Sequence, residues 1–137
     1  MARSRKTQVW ERAKGCCEYC QMPHQFQVRP FQLDHIRAQK HRGETSVENL
    51  ALACFACNIY KSSNAAGYDP STDKLMPLFD PRSENWNRHF TWVGPVLKGK
   101  TAVGRTTIDV LRINLAERVE HRRLLIKAGL FPRRFGR

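Results

Sequence analysis

Apolar positions recur at helical spacing over residues 7–14, where Val9, Trp10 and Ala13 share one face. Thr7 is the expected cap of that helix and Gly15 the expected terminating glycine. Residues 26–36 alternate as a single strand after a turn at Pro23, and residues 50–53 form a second, short apolar run. Between them, residues 39–48 are polar, contain Gly43 and read as a loop. Residues 58–64 read as the first turns of a helix ended by Gly67. The order is strand, loop, strand, helix. Farther on, Asp69-Pro70 and Asp80-Pro81 mark residues 68–87 as an extended connection. Residues 89–93 and 96–103 predict a hairpin around Gly94-Pro95, and residues 106–113 a short helix. A last helix starts at Asn114 as cap, with Glu117 at the capping-box position, and closes at Gly129 before Phe131-Pro132. Its expected buried face carries Leu115, Val119 and Ile126, with Arg118, Arg122, Arg123 and Lys127 turned elsewhere. There is no internal repeat.

Composition narrows the partners. The 137 residues suit one domain, and 41% hydrophobic content argues against disorder throughout. Lys and Arg number 24 against 12 Asp and Glu, a net charge of +12. Such a field concentrates polyanions, so nucleic acid is the first expected partner. No long apolar run or lipidation signal points to a membrane. The basic start lacks the apolar stretch of a secretory signal, so a cytoplasmic protein with reduced thiols is expected. Five cysteines, an odd number, also argue against a closed disulfide framework.

Two cysteine pairs change the picture most. Cys17 and Cys20, and Cys54 and Cys57, each stand three apart, and together they offer four thiolates to a tetrahedral structural Zn²⁺. The 33 residues between the pairs exceed the usual span of a simple zinc ribbon, so that stretch must carry something more. Cys16 fits a pair with Cys20 less well and reads as a small buried residue or a spare thiol.

The stretch between the pairs holds Asp34-His35-Ile36, then Asn49-Leu50-Ala51-Leu52-Ala53, and the second pair runs on into Asn58 and Lys61. In this order and spacing the motifs resemble the HNH endonucleases of the four-cysteine zinc type, with Asn in the last motif position. The downstream Asp80-Pro81-Arg82, Trp86, His89-Phe90 and Gly104-Arg105-Thr106 are similar to the tail of a bacterial subgroup of that family. The resemblance implies an α+β fold: a small ββα-metal core over residues 7–65, with residues 66–137 packed on it as an extension with a hairpin and helix, the whole chain 1–137 forming one domain.

The resemblance also implies roles, and the residue types suit them. Histidine is the side chain best matched to proton abstraction near neutral pH, which fits His35 as general base. Asp34 and Asn58 would offer hard oxygens to a catalytic Mg²⁺ or Mn²⁺. Neighbours on an ideal strand point to opposite faces, so Asp34 and His35 can share a site only where the strand end bends. Asn49 would hold the loop and so orient the base, while Lys61 and His41 would contact the substrate. Tyr60 stands where some relatives carry a further histidine. His24 is a loop residue, His89 reads as a packed strand residue and His121 as a surface one. The expected activity is metal-dependent hydrolysis of DNA phosphodiester bonds. The rival is a zinc-ribbon nucleic-acid-binding module without catalysis, which explains the charge and the cysteines but not Asp34, His35 and Asn49.

Overall fold

The computed structural model describes residues 3–133, so the ends of the expected 1–137 unit lie outside the described residues. Helix α1 (Arg5–Ala13) is followed by strand β1 (Gln32–His35), strand β2 (Leu50–Ala53) and helix α2 (Phe55–Lys61). The remainder comprises β3 (Ala66–Tyr68), β4 (Leu75–Pro77), α3 (Trp86–His89), β5 (Phe90–Val93), β6 (Val96–Gly99), α4 (Ala102–Val110) and α5 (Ala116–Lys127). Three two-stranded antiparallel sheets, β1–β2, β3–β4 and β5–β6, carry the strands. The mixture of helices and small antiparallel strands is the expected α+β class, with the strand–strand–helix core in place.

Local chemistry explains where each element starts. The Ser4 hydroxyl accepts from the Thr7 backbone N–H at 3.1 Å, so α1 begins before the expected Thr7. Val9 is fully buried, and Trp10 and Ala13 pack beside it as the periodicity required. The expected strand over residues 26–36 shortens to four residues. Pro30 lacks the N–H a ladder needs, and the Arg29 guanidinium sits 4.3 Å above the Phe55 ring instead of extending the sheet. β2 matches its expected span, and all four of its residues are buried. Its far edge is satisfied by the first cysteine turn: Glu18 N–H donates to the Leu52 carbonyl, and the Glu18 carboxylate accepts from Leu52 N–H, both at 2.8 Å. α2 starts three residues earlier than expected, because the Cys54 sulfur caps it by accepting from Cys57 N–H. It ends at Ser62, and Gly67 belongs to β3.

The expected extended connection contains structure of its own. β3 and β4 form a hairpin whose turn is built on Asp69, and the Asp69 carboxylate receives two bonds from the Arg105 guanidinium, at 3.0 and 2.8 Å. The β5–β6 hairpin turns at Gly94 as expected. α4 begins at Ala102 because the Thr101 hydroxyl caps it. Gly104 allows close approach there, since a Cβ would stand 2.2 Å from the His89 carbonyl. Asn114 does not cap α5; its amide instead bonds both backbone groups of Leu97, at 2.9 and 2.8 Å.

α5 also departs from its expected faces. Arg122 is only 1% exposed, with its guanidinium on the carbonyls of Pro95 and Ile113 and 5.1 Å from the Trp92 ring. Arg118 points inward too, onto the cysteines. The last helix is therefore anchored by two arginines on the side expected to be apolar.

The extension grips the first cysteine turn through the two residues between its cysteines and the one just after them. Arg82 pairs with Glu18, Trp86 Nε1 donates to the Tyr19 carbonyl at 2.9 Å, and Trp92 Nε1 donates to Gln21 at 3.0 Å. One continuous core joins Val9 and β2 to Phe79, Phe90, Leu97, Leu111 and Ile113. We propose that core and extension unfold as one unit. Phe90→Ala should then cost about 3–5 kcal/mol and leave a single denaturant transition in which tryptophan fluorescence and the far-ultraviolet helix signal coincide; two separated transitions would show independent units.

Candidate active site and metal centre

The four cysteines Cys17, Cys20, Cys54 and Cys57 converge, all buried, with their sulfurs within 4.8 Å of one another. The two pairs are built alike. The N–H of Cys20 points at the Cys17 sulfur at 3.5 Å, and that of Cys57 at the Cys54 sulfur at 3.4 Å. Cys20 and Cys54 sulfurs are 3.7 Å apart. Zn–S bonds of about 2.3 Å in a tetrahedron require S–S edges of about 3.8 Å, so the donor set and its spacing fit Zn²⁺. Four sulfurs close the coordination sphere and leave no position for a reacting water. Cys16 stays outside the cluster, buried, in a bridge to Pro23.

Arg118 meets this centre from α5. One of its guanidinium nitrogens is 3.1 Å from the Cys57 sulfur and 3.9 Å from that of Cys54, and the other donates to the Leu111 carbonyl at 2.8 Å. Burial works against its charge, but the thiolates of Cys57, Cys20 and Cys54 outweigh that and hold its proton affinity above the ordinary value. Four thiolates around one divalent ion would leave two negative charges in a buried place, which Arg118 would partly offset. No signal in the sequence separates Arg118 from the exposed arginines beside it.

The second cysteine pair leads directly into a polar cavity. Asp34, His35 and Asn58 line one space of about 410 Å³, together with Lys40, Ser62 and Ser63. Since α2 starts at Phe55, Asn58 is in the body of the helix and is not its cap. Its amide makes no side-chain hydrogen bond among the described residues. His35 pairs with Leu50 in the sheet, and its Nε2 lies 2.9 Å from the Thr45 hydroxyl, which also accepts from Gln39.

Asp34 is buried on the other face of β1. Its carboxylate accepts from the Tyr19 hydroxyl at 2.7 Å and from the Lys61 ammonium at 3.1 Å. Burial holds the Asp34 carboxyl above its ordinary value, and Lys61 and Tyr19 offset this only in part. Lys61, only 1% exposed, does not reach toward a substrate as expected. Its ammonium also takes the carbonyls of His35 and Ile36, at 3.1 and 3.3 Å, and so secures the chain where β1 ends. That contact stands at the strand end, where Asp34 and His35 need a bend to share a site.

Asn49 spans the loop. Its amide oxygen accepts from Arg37 N–H at 2.9 Å, its amide nitrogen donates to the carbonyls of Arg37 and Glu44, and its own carbonyl receives the Ile36 N–H. Gly43 is required in this loop because a Cβ would stand 1.7 Å from the Arg37 carbonyl. His41 is exposed on the loop and does not line the cavity. His89 is buried between Glu84 and Thr101, packed as expected but at the end of α3 and not in a strand.

The model of the family described as HNH endonuclease matches residues 17–64. The motif resemblance is thus borne out over the stretch holding both cysteine pairs and the cavity. Among curated proteins, the Septu protein PtuB of Bacillus thuringiensis is similar, at 26% identity over 123 residues, covering 88% of this chain. The chain spans 45% of the length of that relative. No solved structure matches the chain significantly. Among the described residues no helix is long and apolar enough to cross a membrane.

If the four cysteines hold zinc, Cys57→Ser should lose it while Cys16→Ser retains one ion per chain, measured by elemental analysis after gel filtration. Arg118→Met should release zinc to a chelator faster than the wild type, with Arg118→Lys intermediate, followed by a colorimetric zinc indicator.

Proposed function

We propose that this protein is a metal-dependent endonuclease hydrolysing DNA phosphodiester bonds, with His35 as general base. The observation that carries the reading is the meeting of Asp34, His35 and an unengaged Asn58 amide in one cavity, beside a closed four-sulfur site. Lys40 adds a positive charge to the same wall, and the net charge of +12 suits a polyanionic substrate.

His35 is held for its task by Thr45. In the tautomer that donates Nε2–H to the Thr45 hydroxyl, Nδ1 keeps its lone pair for a water proton. Asn49 fixes the loop that carries Thr45. The deprotonated water attacks phosphorus, the bond to the departing 3′ oxygen breaks, and that oxygen takes a proton from solvent, leaving 5′-phosphate and 3′-hydroxyl ends. An Asp34 oxygen and the Asn58 amide oxygen form a hard donor pair fitted to Mg²⁺ or Mn²⁺, which would supply positive charge to the phosphoryl and leaving oxygens. Lys61 keeps the Asp34 carboxylate charged and oriented rather than touching substrate. The four cysteines do no chemistry and carry both halves of the site. A cytoplasmic location agrees with their being reduced.

The test is nicking of supercoiled plasmid with Mg²⁺ or Mn²⁺, with EDTA as control. His35→Ala should reduce the rate by about 10²–10⁴-fold while zinc content stays at one per chain, and Asn58→Ala should raise the metal concentration needed for half-maximal rate. Cutting by His35→Ala at the wild-type rate would overturn the assignment. DNA binding without cutting under any divalent metal would favour the non-catalytic module.

A further inference from the structure

The outer face of β1 continues past the candidate base into a second cavity. Leu33 and His35, two residues apart on that face, line both spaces. The second space is about 610 Å³ and lies where Thr45 meets His35; its remaining wall is Leu50 of β2 and Arg3, Ser4, Arg5 and Lys6 at the start of α1. No acidic side chain lines it. Arg3 pairs with Glu11, whereas Arg5 and Lys6 are exposed and make no ion pair or side-chain hydrogen bond among the described residues.

This wall is fixed in place. Val9 is buried under α1, and the Arg12 guanidinium donates to the carbonyls of Val47 and Leu50 at 2.8 and 2.6 Å. The helix is thereby tied to the end of the loop and the start of β2, beside the partner of His35 in the sheet. Two uncommitted cations are thus held at a set position on one flank of His35, while Lys40 stands on the other.

We propose that Arg5 and Lys6 form a phosphate-binding subsite, gripping the nucleic-acid backbone next to the scissile phosphate on the side away from Asn58. The strand then runs over the outer face of β1, with His35 beneath the phosphate that is cut. Contacts of this kind set register and supply affinity without reading sequence. The inference rests on the proposed nuclease reading.

The experiment uses full-length protein carrying His35→Ala, so that DNA stays intact. Binding of a short fluorescent duplex is measured by anisotropy across a range of salt concentrations. Each lost phosphate contact lowers the slope of log affinity against log salt by about 0.9, so adding Arg5→Ala and Lys6→Ala should lower it by about 2. Lys74→Ala with Lys98→Ala, outside both cavities, should leave the slope within half that change. Arg5→Lys with Lys6→Arg should restore the original slope. A slope unchanged by the alanine pair, or changed equally by the distant pair, overturns the subsite and leaves the nuclease reading standing. Failure of the His35→Ala parent to bind duplex at all overturns both.

Discussion

Four sulfurs brought within 4.8 Å of one another hold the molecule together. The two pairs come from turns 33 residues apart, too far for local structure to align them. One divalent ion across them would fix the first turn against the start of α2. Each turn then carries a reach toward the polar cavity. The first sends the Tyr19 hydroxyl to Asp34, and the second places Asn58 and Lys61 on successive turns of one helix. Glu18 and Tyr19, between the cysteines of the first turn, receive Arg82 and Trp86 from the extension, and Gln21 just after them receives Trp92. The cysteine centre is therefore a hub from which the sheet edge, the cavity and the C-terminal half are all positioned.

The division of labour follows from donor chemistry. Soft sulfur donors in a closed tetrahedron hold an ion that has no open position, which suits structure and not reaction. Hard oxygens at the edge of an open cavity suit an ion that must meet substrate and solvent. The boundary between these environments falls between two consecutive residues, Cys57 and Asn58. A helix start makes this possible: Cys54 caps the first turn, Cys57 faces the buried sulfurs, and Asn58, about 100° farther round, faces the cavity.

Much of this was legible in the chain. The spacing of the cysteine pairs, the Asp34-His35 doublet and Asn49 located the centre and the cavity, because such signals depend on short, fixed offsets. β2 was readable from a continuous apolar run, since both its faces are buried. What escaped was direction. Lys61 was expected to contact the substrate, but its partner is a carboxylate 27 residues away. Arg118 reaches a sulfur 61 residues earlier, and nothing near it in the chain marks that contact. Arg122 was more nearly readable, since it falls on the same stripe as Leu115 and Ile126. Thr45, in a polar loop, gained meaning only when the loop folded over His35. The β3–β4 hairpin was hidden because Asp-Pro pairs suggest extended chain, whereas Asp69 in fact builds a turn and takes the Arg105 guanidinium.

The pairing of Asp34 with Lys61 has a consequence for descent. Both groups are almost fully enclosed, so either one alone would be a buried charge without its partner, a far greater penalty than losing both. The two positions are therefore not free to drift separately. A lineage that abandons the carboxylate must pass through a costly intermediate or change the lysine at nearly the same time. Degenerate copies of this gene should accordingly show the two residues lost as a couple, so their joint presence or absence becomes a historical marker of whether the cavity is still under selection.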